Sequence, residues 1–145
     1  MKISKALKRI SKLKGEIADL SSRITASNSC MAENDFREDV KKLISEYRNK
    51  VTELLGLKEA VMKANVSNGI YHNILLLSEK KSEIQMLKDM DIKSGKELSH
   101  GYNDAVYDYK CQIGLEERNE IVDILEKEVE DIIDSLDEFN ATHEV

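Results

Sequence analysis

Proline and tryptophan are absent from this 145-residue chain, aromatic residues make up only 5% of it, and cysteine occurs twice. Together with a charged fraction of 34%, these shortages favour helix and argue against both a β-sandwich and a disordered chain. Cys30 and Cys111 show no paired spacing, which is the pattern of reduced thiols in an intracellular protein, so a cytoplasmic location is expected. No apolar run approaches membrane-spanning length. The basic opening MKISKALKRI is broken by charge every two or three positions, and no signal peptide is read in it. The net charge of −6 gives no global pull towards nucleic acid or acidic membranes.

What is present is helical periodicity. Ile3, Leu7, Ile10, Leu13, Ile17, Leu20 and Ile24 form one apolar stripe, predicting a helix from about Ile3 to Asn28. SCMAEND follows as a polar loop, in which Asn34 or Asp35 is placed to cap the next helix. A second stripe reads Phe36, Val40, Leu43, Tyr47, Val51, Leu54, Lys58 and Val61. Lys58 interrupts it and is expected to lay its methylenes along the core edge. Gly56 costs this helix about 1 kcal/mol relative to alanine and marks either a close crossing or a kink. After the turn residues ANVSNG, a third stripe comprises Ile70, Ile74, Leu77, Lys81, Ile84 and Leu87. The last, Val122, Leu125, Val129, Ile132, Leu136 and Phe139, is an uninterrupted heptad. Three of the predicted helices stop at or just after an asparagine, Asn28, Asn65 and Asn140, a residue that tolerates the left-handed conformation of a C-cap. No composition shift separates domains, so residues 1–145 are expected to form one all-α domain, a bundle of about four long, mainly antiparallel helices.

The segment AVYDYKCQIG, from Ala105 to Gly114, breaks that pattern with strict alternation. In a strand it puts Tyr107, Tyr109, Cys111 and Ile113 on one side and Asp108, Lys110 and Gln112 on the other. A lone strand leaves its backbone groups unpaired. It therefore needs either KELSH, Lys96 to His100, as a hairpin partner, or the same segment of a second chain about a two-fold axis. A short β excursion is thus expected near residues 96–113, with Tyr107, Tyr109, Cys111 and Ile113 as self-association residues. Apolar residues flanking the stripes (Ile44, Leu55, Met62, Leu75, Ile121, Ile124 and Ile133) widen the apolar faces and leave surface for another chain. These features predict a homo-oligomer, most simply a dimer, or a helical protein partner.

Charge is uneven. Met1 to Asn28 carries seven basic and two acidic residues, whereas Glu116 to Val145 carries two basic and twelve acidic ones. In an up-down-up-down bundle the first and last helices are neighbours, which would set the basic helix beside the acidic one.

Patterns that carry chemistry are weak. Lys5, Arg9 and Lys12, with Lys2 and Lys8 beside them, could track phosphates. No aromatics interleave for base stacking, so nucleic acid is not the expected partner. The carboxylates Glu116, Glu120, Asp123, Glu126, Glu130 and Asp134 lie mostly off the heptad core and face water. A bundle di-metal site usually needs paired Glu-x-x-His strings. One such string exists, Glu97 to His100, while His72 and His143 have no matching glutamate. Neither cysteine has a base placed beside it, and Cys111 reads as a small buried hydrophobe. The NAT string at Asn140 has no meaning as a glycosylation acceptor without secretion. No catalytic residue, cofactor or metal is therefore expected, and an enzymatic role is not.

The opening MKISKALKRISKLKGEIADLSSRI, the turn ANVSNG and the ending IIDSLDEFNATHEV resemble a bacterial family often labelled septicolysin, some of whose members sit in prophage-like settings. The resemblance implies a long-helix fold and carries no functional residues; its lysin label implies membrane activity, although no helix here is apolar all round. The functional expectation is a non-enzymatic intracellular scaffold or assembly protein acting through helix–helix surfaces. The alternatives are a nucleic-acid-associated protein using the basic N-terminal helix, and a membrane-active protein.

Overall fold

The computed structural model describes residues 1–98 and 105–145. Four helices and one hairpin follow one another in the order α1 (Ile3–Ser27), α2 (Val40–Ser67), α3 (Ile70–Asp89), β1 (Gly95–Leu98), β2 (Val106–Tyr109) and α4 (Leu115–Thr142). The fold class is thus all-α with a short antiparallel β excursion, as the periodicity predicts. Two compact units are present, one formed by Met1–Tyr71 with Asp137–Val145 and the other by His72–Leu136.

In the first unit, α1 and α2 lie antiparallel. The α1 seam is Ile3, Ala6, Ile10, Leu13 and Leu20, all buried, with Ile17 and Ile24 half-buried. These positions alternate in steps of three and four, the spacing at which a helix keeps one line against its neighbour. Leu7 does not belong to the seam and is 41% exposed; the smaller Ala6 takes the inward position. On α2 the seam runs Val40, Leu43, Tyr47, Lys50, Leu54, Leu57, Val61 and Ala64, each buried or half-buried. Lys58 is on the exposed side, and the lysine that does occupy the seam is Lys50. Phe36 precedes the helix and is 68% exposed. The cap is Asp39, whose carboxylate accepts from the Lys42 N–H at 3.3 Å, and not Asn34 or Asp35. Ile3, Ala6, Ile10, Val61 and Phe139 form the dry core of this unit.

Helix ends also differ from expectation. Helix α1 does stop at Asn28, as expected, but Asn28 is right-handed there, and the other two helices run past Asn65 and Asn140. The left-handed residue after α2 is Gly69, at φ 70°, because glycine meets no Cβ clash there. Asn68 before it donates its side-chain amide to the Ala64 carbonyl at 2.8 Å. The start of α1 has no side-chain cap. Its Ile3 N–H instead donates to the His143 carbonyl at 3.0 Å, and the Val145 N–H donates to the Met1 carbonyl at 2.8 Å. The last residues thereby pair antiparallel with the first, satisfying donors that a helix terminus otherwise leaves free.

The second unit contains most of α3 and α4, again antiparallel. Leu87, Val122 and Leu125 are its buried residues, with Ile84 and Ile121 packed against them. The α4 heptad from Val122 to Leu136 faces inward as read from the sequence. On α3 the inward positions are Asn73, Leu77, Lys80, Ile84 and Leu87; Ile74 and Lys81 are exposed. Arg118, one step before Val122 in the α4 seam, donates to the carbonyls of Leu87 and Lys88 at 3.4 and 3.3 Å, closing the C-terminal end of α3.

Seam membership has a direct consequence for stability. Leu13→Ala is expected to cost about 2–5 kcal/mol as a core truncation, and Leu7→Ala no more than about 0.5 kcal/mol as a surface change. Urea denaturation of the two variants checks this; the reverse order would place Leu7 in the seam. A Cβ added at Gly56 meets nothing within 4 Å, so no close crossing requires this glycine. Gly56→Ala is therefore expected to stabilise the protein by about 0.5–1 kcal/mol in the same measurement.

Candidate self-association surface

The alternating segment does form a strand, and its partner lies within the chain. Gly95 pairs with Tyr109, Lys96 with Asp108, Glu97 with Tyr107 and Leu98 with Val106. Of the predicted hairpin partner Lys96 to His100, Ser99 and His100 lie outside the described residues, as does the His100 end of the Glu97–His100 string. Tyr107 and Tyr109 share a face, their rings 6.4 Å apart edge to face, and the Lys93 ammonium sits 5.2 Å from the Tyr109 ring centroid. The strand stops at Tyr109, so Cys111 and Ile113 lie beyond it. They nevertheless line one shallow depression together with Tyr109 and Lys93. Cys111 is exposed and unpaired, correcting the expectation of a buried thiol. Every residue of both strands is exposed, and a two-stranded hairpin without cover is marginal in water.

The helices add apolar surface of their own. In the first unit Leu55, Met62 and Val66 are exposed on the outer side of α2, Leu55 at 53%. In the second, Leu75 and Met86 on α3 and Ile124 and Ile133 on α4 are exposed, Ile124 at 62%. Of the flanking residues singled out from the sequence, Ile44 and Ile121 are half-buried and the other five are exposed. A seam between two helices has room for one stripe from each, so residues beside the stripe stay in water unless a further surface covers them.

Charges fix how the helices of each unit face one another. In the first unit the Arg9 guanidinium grips Glu53 with two bonds, Nε to Oε1 at 2.7 Å and Nη2 to Oε2 at 2.9 Å. Arg9 also lies 3.5 Å from Glu16, which accepts from Lys50 Nζ at 2.8 Å. Near the loop, Arg23 pairs with Glu38. The bonds from Arg9, Lys50 and Arg23 hold the carboxyls of Glu53, Glu16 and Glu38 below the usual carboxylate range. In the second unit Lys80 pairs with Glu128, and Lys88 with Glu126 at 3.0 Å. The basic helix α1 thus reaches Glu53 on α2 and Glu38 just before it, its own Glu16 accepts from Lys50 of α2, and the acidic helix α4 finds lysines on α3. The α1–α4 pairing expected from a simple bundle is not what these ion pairs use.

Among the described residues, no catalytic constellation emerges. Among the described residues, no three His, Cys, Asp or Glu side chains converge in an arrangement that could hold a metal. The depression beside the α1–α2 loop is lined by Phe36, Val40 and Ile44. Its carboxylates are already engaged, Glu38 by Arg23 and Asp39 by the Lys42 N–H. His143 stacks on Phe139 with ring centroids 4.1 Å apart. No protein-family model matches the chain, and no curated protein or solved structure matches it either.

The three lowered carboxylates set a pH dependence. Each titrates below its unfolded value of about 4.5, so its contribution is present above that pH and is lost as pH falls through the folded value. Thermal melting is expected to be level near neutrality and to decline below pH about 4.5. Glu16→Gln is expected to melt lower than the parent at pH 7, with the gap closing in acid. A gap independent of pH would mean that the Glu16 charge contributes nothing.

Proposed function

We propose that this chain is a non-enzymatic helical scaffold or assembly protein that acts by self-association, most simply as a dimer. The observation that carries this reading is the apolar surface outside the seams, Leu55, Met62 and Val66 in one unit and Leu75, Met86 and Ile124 in the other. Scattered apolar residues are ordinary on any surface. Here Leu55, Met62 and Val66 recur at helical spacing on one side of α2, which is how a helix presents itself to another helix. The exposed hairpin supports the reading, since its Tyr107 and Tyr109 face and its open strand edges gain from cover. Cys30 and Cys111, both free and exposed, fit a cytoplasmic setting.

The two alternative functions draw less support. For nucleic acid, Arg9 in the basic row is already held by Glu53, which leaves fewer cations free for phosphates. For membrane activity, no helix among the described residues is long and apolar enough to cross a membrane.

Sedimentation velocity at about ten to fifty micromolar chain tests the proposal, a range in which a dimer of modest affinity is populated. The expected result is a dominant species near twice the 16.5 kDa chain mass. A single 16.5 kDa species across that range would remove the reading.

A further inference from the structure

The outer face of α1 carries Lys5, Lys8 and Lys12, and the outer face of α4 carries Glu116, Glu120 and Asp123. All six are exposed. Their steps, three and four on α1 and four and three on α4, place each set on one side of its helix, turned away from the seam. Among the described residues, Lys5 and Lys8 are in no ion pair, and Lys12 only approaches its own Glu16 at 3.8 Å. Among the described residues, none of Glu116, Glu120 and Asp123 is in one either.

The two sets match in number, sign and spacing. Residues facing each other across an antiparallel helix pair have position numbers that sum to a constant. Lys12 with Glu116, Lys8 with Glu120 and Lys5 with Asp123 share one sum, so a single antiparallel register satisfies all three pairs at once. A parallel alignment that starts by setting Lys5 against Glu116 carries Asp19, also on the outer side of α1, against Glu130.

We infer that the α1 face of Lys5, Lys8 and Lys12 docks antiparallel on the α4 face of Glu116, Glu120 and Asp123 of a second copy of this chain. The inference rests on the self-association reading above and adds to its apolar surfaces one pair of charge-matched faces in a single register. Each copy carries one basic and one acidic face to offer a second copy. Ile124, next to Asp123 on α4 and 62% exposed, flanks the acidic face and adds the apolar contact that exposed charges alone do not. The charges choose the partner and the register.

Sedimentation of the full chain at low and high salt, with Lys8→Glu, Glu120→Lys and the double variant, tests the assignment. Each single variant is expected to weaken dimerisation about tenfold at low salt, and the double variant to recover it to within about threefold. High salt is expected to weaken the wild type and to erase the difference among variants. Lys8→Cys mixed with Glu120→Cys, both in a Cys30→Ser, Cys111→Ser background, is expected to give a disulfide-linked dimer on mild oxidation, and neither variant alone is expected to do so. A wild-type dimer indifferent to both single charge reversals would leave self-association standing and overturn these faces. A wild-type monomer at every salt would overturn the self-association reading and this one together. Loss of polyanion retention in Lys8→Glu with association unchanged would assign the lysines to nucleic acid and likewise overturn it.

Discussion

A two-helix seam is one stripe wide, and the rest of the structure answers to that limit. Ile3, Ala6, Ile10, Leu13 and Leu20 lie inward because three-four spacing keeps them in line. Whatever falls a step to either side, as Leu7 and Ile124 do, is left partly in water. The dry core is correspondingly small, five buried residues in one unit's cluster and three in the other's. Terminal pairing of the first and last residues adds backbone hydrogen bonds where the first unit's helices begin and end.

So narrow a seam says little about register, since sliding by a heptad still sets apolar against apolar. Charged residues in and beside it supply the difference. Lys50 and Lys80 each occupy a seam position and each reaches a glutamate on the opposing helix, Glu16 and Glu128. The Arg9–Glu53 fork and the bond from Arg118 to the last carbonyls of α3 are satisfied at one alignment. Individually such pairs contribute little to stability; their effect is to make the alternatives worse.

Helix number, the turn at Gly69 and the whole α4 heptad were legible in the sequence, because large apolar residues repeat there without competition. Errors came where a small or polar residue holds an inward position beside a larger apolar one. Hydrophobicity ranks Leu7 above Ala6, Ile74 above Asn73 and Val51 above Lys50, although the second of each pair holds an inward position; spacing alone places Lys58 in the stripe, where Leu57 beside it is the half-buried residue. At the end of α2 the left-handed position falls to Gly69, which takes that conformation more easily than asparagine does. Alternation through Tyr107 and Tyr109 marks a strand but leaves its partner open between KELSH and a second chain; the structure pairs it within the chain. The strand ends sooner than the alternation does, leaving Cys111 and Ile113 beyond the ladder. The terminal pairing and the Arg118 closure have no local signature, since both depend on residues distant in sequence meeting in space.

The functional reading joins these points. Narrow seams, apolar residues outside them and unspent charge of opposite sign on two helices together support the proposal that this chain acts by joining surfaces. Its central claim is that association completes the burial a single copy leaves unfinished, which couples folding to concentration. The thermal unfolding midpoint measured over about a hundredfold range of chain concentration tests this most directly. A midpoint that climbs steadily with concentration is the predicted result, and one that stays constant would contradict the account.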